Sequence, residues 1–545
     1  MTSIAGPALP AGKAAPYDIP EMASGGIRAR FLQFGARYRW LLLFTMLMGS
    51  MSTMLAATTI NVALPAIIGA FGLGQDQAQW MSTAFLASST IAMLANAWAM
   101  STYGPRATYI FGMVTFLIGS LLGAVSTTLE FLILARAMQG VSAGLLQPMS
   151  MFLIFQTFPD HQRGTAMGIF SVGVVLAPAF GPALGGIAVD LSSWRLVFVA
   201  TLPLAILAMA AAPFLMPKGE EAARRRAPPI DWQGLLLLSI ALIGLLSAFA
   251  GGNRDGWDSN ISILKFTIAI AAGIAFYFWE RQHAFPALNP AIFKYRQFWS
   301  AGVIIAATGV AIYGSTYLIP LFVQMVQHYS PTGAGVMMIP AGLAMVCCFP
   351  LAGRLSDRVD TRLLIGFGVT CFAVSGFLLA GVTALTPYWV LVGWILISRI
   401  GISFCMPPAN TTAVRAVPPH LLASATGGAS FLMQVGGAFG VNLLAIFLQR
   451  RTMFHEAHLT SEMSESNFEF LYQHAMHAQA LEASGMPQVV AFTSSFQEIS
   501  RELSMQATVF AFRDCFFVIA IWFVMVLGAL LLMPRPRLVQ RAPPR

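Results

Sequence analysis

Charge is what this 545-residue chain has least of: Asp, Glu, Lys and Arg together make up 10%, against about a quarter in an average soluble protein. So few charges cannot clothe the three or four water-soluble domains that the length alone suggests. Hydrophobic residues reach 57% and mean hydropathy is +0.71, so the chain belongs in lipid as a polytopic membrane protein. Cysteine is scarce as well. Cys347, Cys348, Cys371, Cys405 and Cys515 all lie in apolar stretches with no C-x-x-C spacing, which excludes a disulfide framework or cysteine zinc site. Also missing are a phosphate-binding loop, a nucleophile–base pairing and a metal cluster, so no enzyme and no cofactor are indicated. The first 36 residues lack the apolar core of a signal peptide and should be retained.

What is present is long apolar runs. Spanning hydrocarbon takes about 20 mostly apolar residues, and only helices or closed barrels satisfy their backbones there. The runs here are continuous rather than alternating, which selects helices. Fourteen are expected, at 40–69, 78–101, 107–128, 131–157, 164–189, 195–215, 232–251, 261–280, 299–325, 332–355, 363–384, 387–410, 423–448 and 509–533. The net charge of +9 invites a nucleic-acid reading, but the bases follow topology instead. With the N-terminus inside, 22 of the 31 Lys and Arg fall on inner segments and seven on outer ones. That bias places both termini in the cytoplasm. The expected divisions are a cytoplasmic tail 1–39, a six-helix half 40–216, a linker 217–231, two inserted helices with their loop 232–298, a second six-helix half 299–533 carrying an outer segment 450–508, and a tail 534–545. The basic, aromatic stretch from Ile27 to Trp40 suits either an anionic inner leaflet or simple flanking of the first span. Around Phe468 to Ala480 the outer segment looks helical. His455 with His458, and His474 with His477, share an i,i+3 spacing that would suit a metal, a solvated face or a docking surface.

One architecture recurs. Gly353-Arg354-Leu355-Ser356-Asp357-Arg358, followed by Arg362, lies on the turn after the tenth span, and Gly104-Pro105-Arg106 lies on the turn after the second. Gly353, Asp357, Arg358 and Arg362 suit a charge-assisted cytoplasmic latch that opens and closes as bundles rock. Further motifs follow in order: Asn61-Val62-Ala63-Leu64-Pro65, Arg136-Ala137-Met138-Gln139-Gly140, Ala177 through Gly186, Ser193-Trp194-Arg195, Asp231-Trp232, Gly256-Trp257 and Gln434-Val435-Gly436-Gly437. With these in place the chain resembles the major facilitator superfamily, in its fourteen-spanner drug:proton antiporter branch (EmrB/QacA type). The resemblance covers essentially the whole chain. It implies an all-α fold of two six-helix halves plus two inserted helices, alternating access driven by the proton gradient, and small amphipathic organic substrates. A periplasmic adaptor and an outer-membrane channel are implied partners for relatives in Gram-negative envelopes.

The residues add their own physics. Gly181 and Gly185 lie one turn apart and flatten a helix face, while Pro178 and Pro182 each remove a backbone donor. With Gly186 they form the expected gating and packing element. The substrate cavity is expected around Asn61, Arg136, Gln139, Arg399 and Gln434, polar groups at lipid depth that should face the bundle interior. Further polar candidates are Asn96, Gln147, Gln324, Asn410 and Asn442, and abundant methionine suits either a pliable cavity or plain packing. The acids depart from the branch. None of the 22 lies near a span centre, Ala56 stands where relatives carry an Asp, and Ser101 replaces the first loop motif's Asp. Asp514 is then the candidate for proton coupling, with an interfacial ion pair as the alternative. Two arginines and no central acid predict anionic or neutral substrates. The leading expectation is a proton-coupled exporter. A facilitator or importer, or a transport-inactive sensor, stays open beside it.

Overall fold

A computed structural model of the chain describes residues 24–72, 75–191, 193–219, 229–284, 286–356, 358–461 and 468–531. Among these there is no strand, and seventeen α-helices carry the fold. The first half holds α1 (Gly25–Phe34), α2 (Tyr38–Phe71), α3 (Gln75–Val125), α4 (Leu129–Thr157), α5 (Arg163–Leu191), α6 (Leu196–Val199) and α7 (Leu202–Leu215). Next come α8 (Trp232–Asp255) and α9 (Asn260–Gln282). The second half holds α10 (Arg296–Met325), α11 (Pro331–Val336), α12 (Ile339–Ser356), α13 (Thr361–Leu379), α14 (Tyr388–Arg415), α15 (Leu422–Ser461), α16 (Phe468–Ala483) and α17 (Gln488–Leu531).

Twelve stretches among the described residues are long and apolar enough to cross a membrane. One of them, Trp80–Ala124, is two crossings joined by a fold: Gly104 sits at φ 83°, ψ 161° inside α3, and Pro105 follows it. Only glycine takes that backbone without strain. With α3 counted twice the described residues give thirteen such crossings, and α5 carries a shorter apolar stretch, Phe180–Leu191, against the fourteen expected. The inserted pair shows what surrounds it. Along α9, Ile263, Ile270, Ile274 and Phe278 are all more than half exposed. A row of bare aliphatic side chains on a helix is tolerated where the solvent is hydrocarbon.

Residues 24–39 are held against the bundle. Ile27 and Phe31 are fully buried, Arg30 Nη2 donates to the Pro213 carbonyl at 3.4 Å, and the Tyr38 hydroxyl donates to the Leu215 carbonyl at 3.0 Å. Thus α1 docks beneath the end of α7. A side chain on Gly26 would meet the Lys218 backbone, and one on Gly104 would meet Gly219, so the start of the linker is pinched between α1 and the fold in α3. Within 450–508, α15 continues as far as Ser461, the expected helix appears at Phe468–Ala483 as α16, and α16 lies against α17, which begins at Gln488.

Candidate functional site

Arg136 lies one turn before Gln139 on α4, and both are buried. Arg136 Nη1 donates to the Ala56 carbonyl at 2.9 Å and to Gln139 Oε1 at 2.8 Å, while Nε donates to the Met81 carbonyl at 3.4 Å. Its guanidinium also stacks over Phe85, 4.5 Å from the ring centroid. Gln139 Nε2 passes the chain on to Ser120 Oγ at 2.9 Å. A charge removed from water survives when its donors are met. Here carbonyls, an amide and a ring meet them in place of a carboxylate, and the carbonyl at 2.9 Å belongs to the residue that stands where an Asp was expected.

The second half builds a parallel arrangement. Arg399 on α14 is buried, and its Nη1 and Nη2 donate to Ser315 Oγ at 3.0 Å and Thr316 Oγ1 at 3.5 Å on α10. Each half therefore buries one arginine on its fourth crossing and aims it at its first. Neither has a carboxylate partner among the described residues. The structure does not gather Arg136 and Arg399 into one cavity; each is held inside its own half. Asn61, further along α2, is exposed.

What joins the halves is a seam. Gln434 on α15 donates to Ser89 Oγ on α3 at 3.0 Å and accepts from the Tyr313 hydroxyl on α10 at 3.0 Å. Deeper in the seam a void of about 10 Å³ is lined by Gln147 and Met151 of α4, Met167 and Ser171 of α5, Met406 and Asn410 of α14, and Ser430 and Met433 of α15. Gln147 Oε1 and Ser171 Oγ are buried there without a protein partner. The void has room for one water, whereas organic ligands take about 300 Å³ or more. The halves are closed on each other, around a lining of thioethers and neutral polar groups from both.

The seam runs along α5. Toward one end, a side chain on Gly353 would strike the Gly164 carbonyl and one on Gly168 the Phe349 carbonyl; toward the other, one on Gly335 would meet Pro182 and Ala183. Beyond that contact the Thr332 hydroxyl donates to Asp190. The opposite face of α5 packs on α2, where Gly181 leaves space for the Thr58 hydroxyl and Gly185 for the Thr59 backbone. Gly186 and Pro182 are buried, and Pro178 lies in the same helix. Gly140 and Gly144 face α3, and Gly436 and Gly440 face α10, so small residues mark the crossings of both halves.

Of the latch, Gly353 is at the seam, Arg358 is exposed, Arg362 is half-buried behind Asp360, which caps α13, and Asp357 lies outside the described residues. A contact across the halves at this end was not foreseen: Arg415 Nη2 donates to the Asp160 carbonyl at 3.2 Å, and Asp160 pairs with Arg163. Asp514 is one-third exposed and holds Arg451 Nε at 2.6 Å and His455 Nε2 at 2.7 Å. Arg451 and His455 stand one turn apart on α15, an i,i+4 spacing that carries no signal without knowing that α15 continues past the lipid. His477 lies 3.7 Å from Glu498, and His474 is buried against Phe492, so these imidazoles are not gathered on one face.

A membrane-embedded all-α bundle of two halves, closed on each other around buried polar groups, has the build of a secondary transporter. The chain belongs to the Major Facilitator Superfamily, whose sequence model matches residues 46–441. Its relatives place it in the EmrB-type branch. It is 28% identical to the multidrug export protein EmrB of Escherichia coli (strain K12) over 87% of this chain and 91% of that one, and 29% identical to EmrB of Haemophilus influenzae over 78% and 84%. In fold it is similar to the proton:xylose symporter XylE, with a TM-score of 0.56 at 13% identity over 91% of this chain and 97% of that one.

Proposed function

We propose that this transporter exports amphipathic organic compounds, neutral or anionic, by proton antiport. It would work from a cell inner membrane with both termini in the cytoplasm. The observation that carries the reading is the seam lining: four methionines with Gln147, Ser171, Asn410 and Ser430, drawn from both halves and free of carboxylates. Thioethers adapt to varied apolar shapes, and amides and hydroxyls orient a polar end without selecting for positive charge. The halves would rock about α5, opening the Gly164–Gly353 end and the Ala183–Gly335 end in turn, so that the lining meets one side of the membrane at a time. Asp514 is the acid we assign to coupling. Because EmrB-type relatives include multidrug exporters, a periplasmic adaptor and an outer-membrane channel are the partners we propose.

Inside-out vesicles with an imposed proton gradient test this reading. Neutral and anionic amphiphiles should accumulate against their gradients, and Gln147→Ala with Asn410→Ala should raise the apparent KM about tenfold, the worth of one or two lost hydrogen bonds. Uptake confined to lipophilic cations would overturn the charge assignment. Equilibration without a gradient would instead support a facilitator, and no flux of any solute a sensor.

A further inference from the structure

Apart from the seam, two buried carboxyl groups face each other on the inserted helices. Asp231, 5% exposed, precedes α8, and Glu280, 4% exposed, lies in the last turn of α9. One oxygen of each is accounted for. Asp231 Oδ1 accepts the Gly234 N–H at 2.8 Å and the Trp279 indole N–H at 2.9 Å, and Glu280 Oε2 accepts the Leu288 N–H at 3.2 Å. The other two, Asp231 Oδ2 and Glu280 Oε1, have no hydrogen-bond partner among the described residues although both are buried. Both flank Gly234, for a side chain there would collide with each of these oxygens.

Two ionised carboxylates sharing one dry site repel each other, and one then keeps its proton. A single proton also satisfies both orphan oxygens at once, as an O–H donated by one to the other. The geometry points to a proton-binding site in which Glu280 Oε1 carries the proton and donates it to Asp231 Oδ2. Asp231 is the acceptor of the pair: it caps the N-terminus of α8, and its Oδ1 already takes two N–H donors. A metal cation fits poorly. Magnesium or calcium takes six or more oxygens, whereas three N–H donors crowd this site. The elements packed around it leave the pair dominant: α3 presents Ile91 and Leu94, α15 presents Phe431 and Val435, and Arg281 turns to the Tyr277 hydroxyl. Among the described residues the neighbouring titratable group is His283, whose ring stacks on Trp279 at 5.3 Å.

The proton therefore ties together the end of the linker, the end of α9 and, through Leu288, the loop that leads into the second half. It enters from water and returns to water. Losing it leaves two like charges in contact.

Infrared difference spectroscopy on the full chain in lipid nanodiscs tests the site. At neutral pH the protein should show a protonated-carboxyl C=O band that shifts in D2O and vanishes in alkali. Glu280→Gln, whose amide donates to Asp231 as the acid does, should fold normally and lose that band. Asp231→Asn should shift the band or remove it. A band that persists unchanged in Glu280→Gln, or the absence of any protonated carboxyl across the pH range where the protein is folded, overturns the proposal. So would stabilisation by Na+ or K+ at constant ionic strength that Glu280→Gln abolishes, since the occupant would then be a metal cation.

Discussion

Arg136 shows how a charge is kept in a lipid-depth helix with no carboxylate partner among the described residues. Its donors fan out to two helix carbonyls and Gln139, and its face rests on Phe85. Planarity makes this possible: a fork reaches several acceptors at fixed angles while the ring takes the π face. Lysine has a point charge on a flexible stem and cannot do both. Arg136→Lys is expected to cost about 1–3 kcal/mol of stability, read as a lowered unfolding midpoint in detergent, and no change would mean that the fork is dispensable. Asp514 sits in the opposite situation, one-third exposed and gripped by Arg451 and His455. Asp514→Asn is expected to abolish proton-driven uptake in a proton-flux assay. Unchanged coupling would make the trio a surface ion pair and nothing more. At this scale the sequence was readable where partners sit on one helix, as with Arg136 and Gln139. It was silent where the partner is a backbone carbonyl, as at Ala56, because a carbonyl belongs to every residue type. It was silent again for Asp231 and Glu280, 49 positions apart and joined only by the antiparallel packing of α8 on α9.

Among the elements, α5 carries two jobs on two faces. Its Gly181 and Gly185 admit α2 within the half, and its Gly164, Gly168 and Ala183 meet α11 and α12 across the seam. Spacing showed that the glycines align. Which neighbour comes close is a matter of tertiary packing that spacing does not encode. The intra-half contact has a direct check. Gly181→Ala drives a methyl into the Thr58 hydroxyl and should cost about 1–3 kcal/mol. Thr58→Ala should recover most of that in the double variant, a coupling visible only if the two sites touch. The same limit explains the outer segment. Apolar runs end where lipid ends, so 423–448 and 509–533 were legible as spans, but a helix does not stop when its surroundings turn aqueous. Nothing in 449–461 or 488–508 breaks the backbone ladder.

For the whole molecule, both ends of the α5 seam are in contact at once, and transport requires them to part in turn. Paired cysteines at Gly164 with Gly353, and at Ala183 with Gly335, should cross-link in the resting protein. Added substrate or an imposed proton gradient is expected to lower cross-linking at one pair while the other persists. Simultaneous loss at both, or no change at either, would contradict rocking about α5. The two-half plan, the inserted pair and the family were legible in hydropathy, in the recurrence of the turn after the second span at the turn after the tenth, and in motif order. The closed seam was not, since a conformational state is a property of packing and leaves no trace in composition.

The two long helices of the second half have a mechanical meaning. At 1.5 Å per residue, the 40 and 44 residues of α15 and α17 measure about 60 and 66 Å, twice the hydrocarbon they cross. The excess stands off the membrane on one side as a stiff mast, braced by Arg451, His455 and Asp514 near its foot. A tilt of the second half by about 10° displaces the tip of a 30 Å mast by about 5 Å. Anything seated at that tip would feel the turnover of the seam as a stroke, with no signal passing through the membrane except the rigid rods themselves.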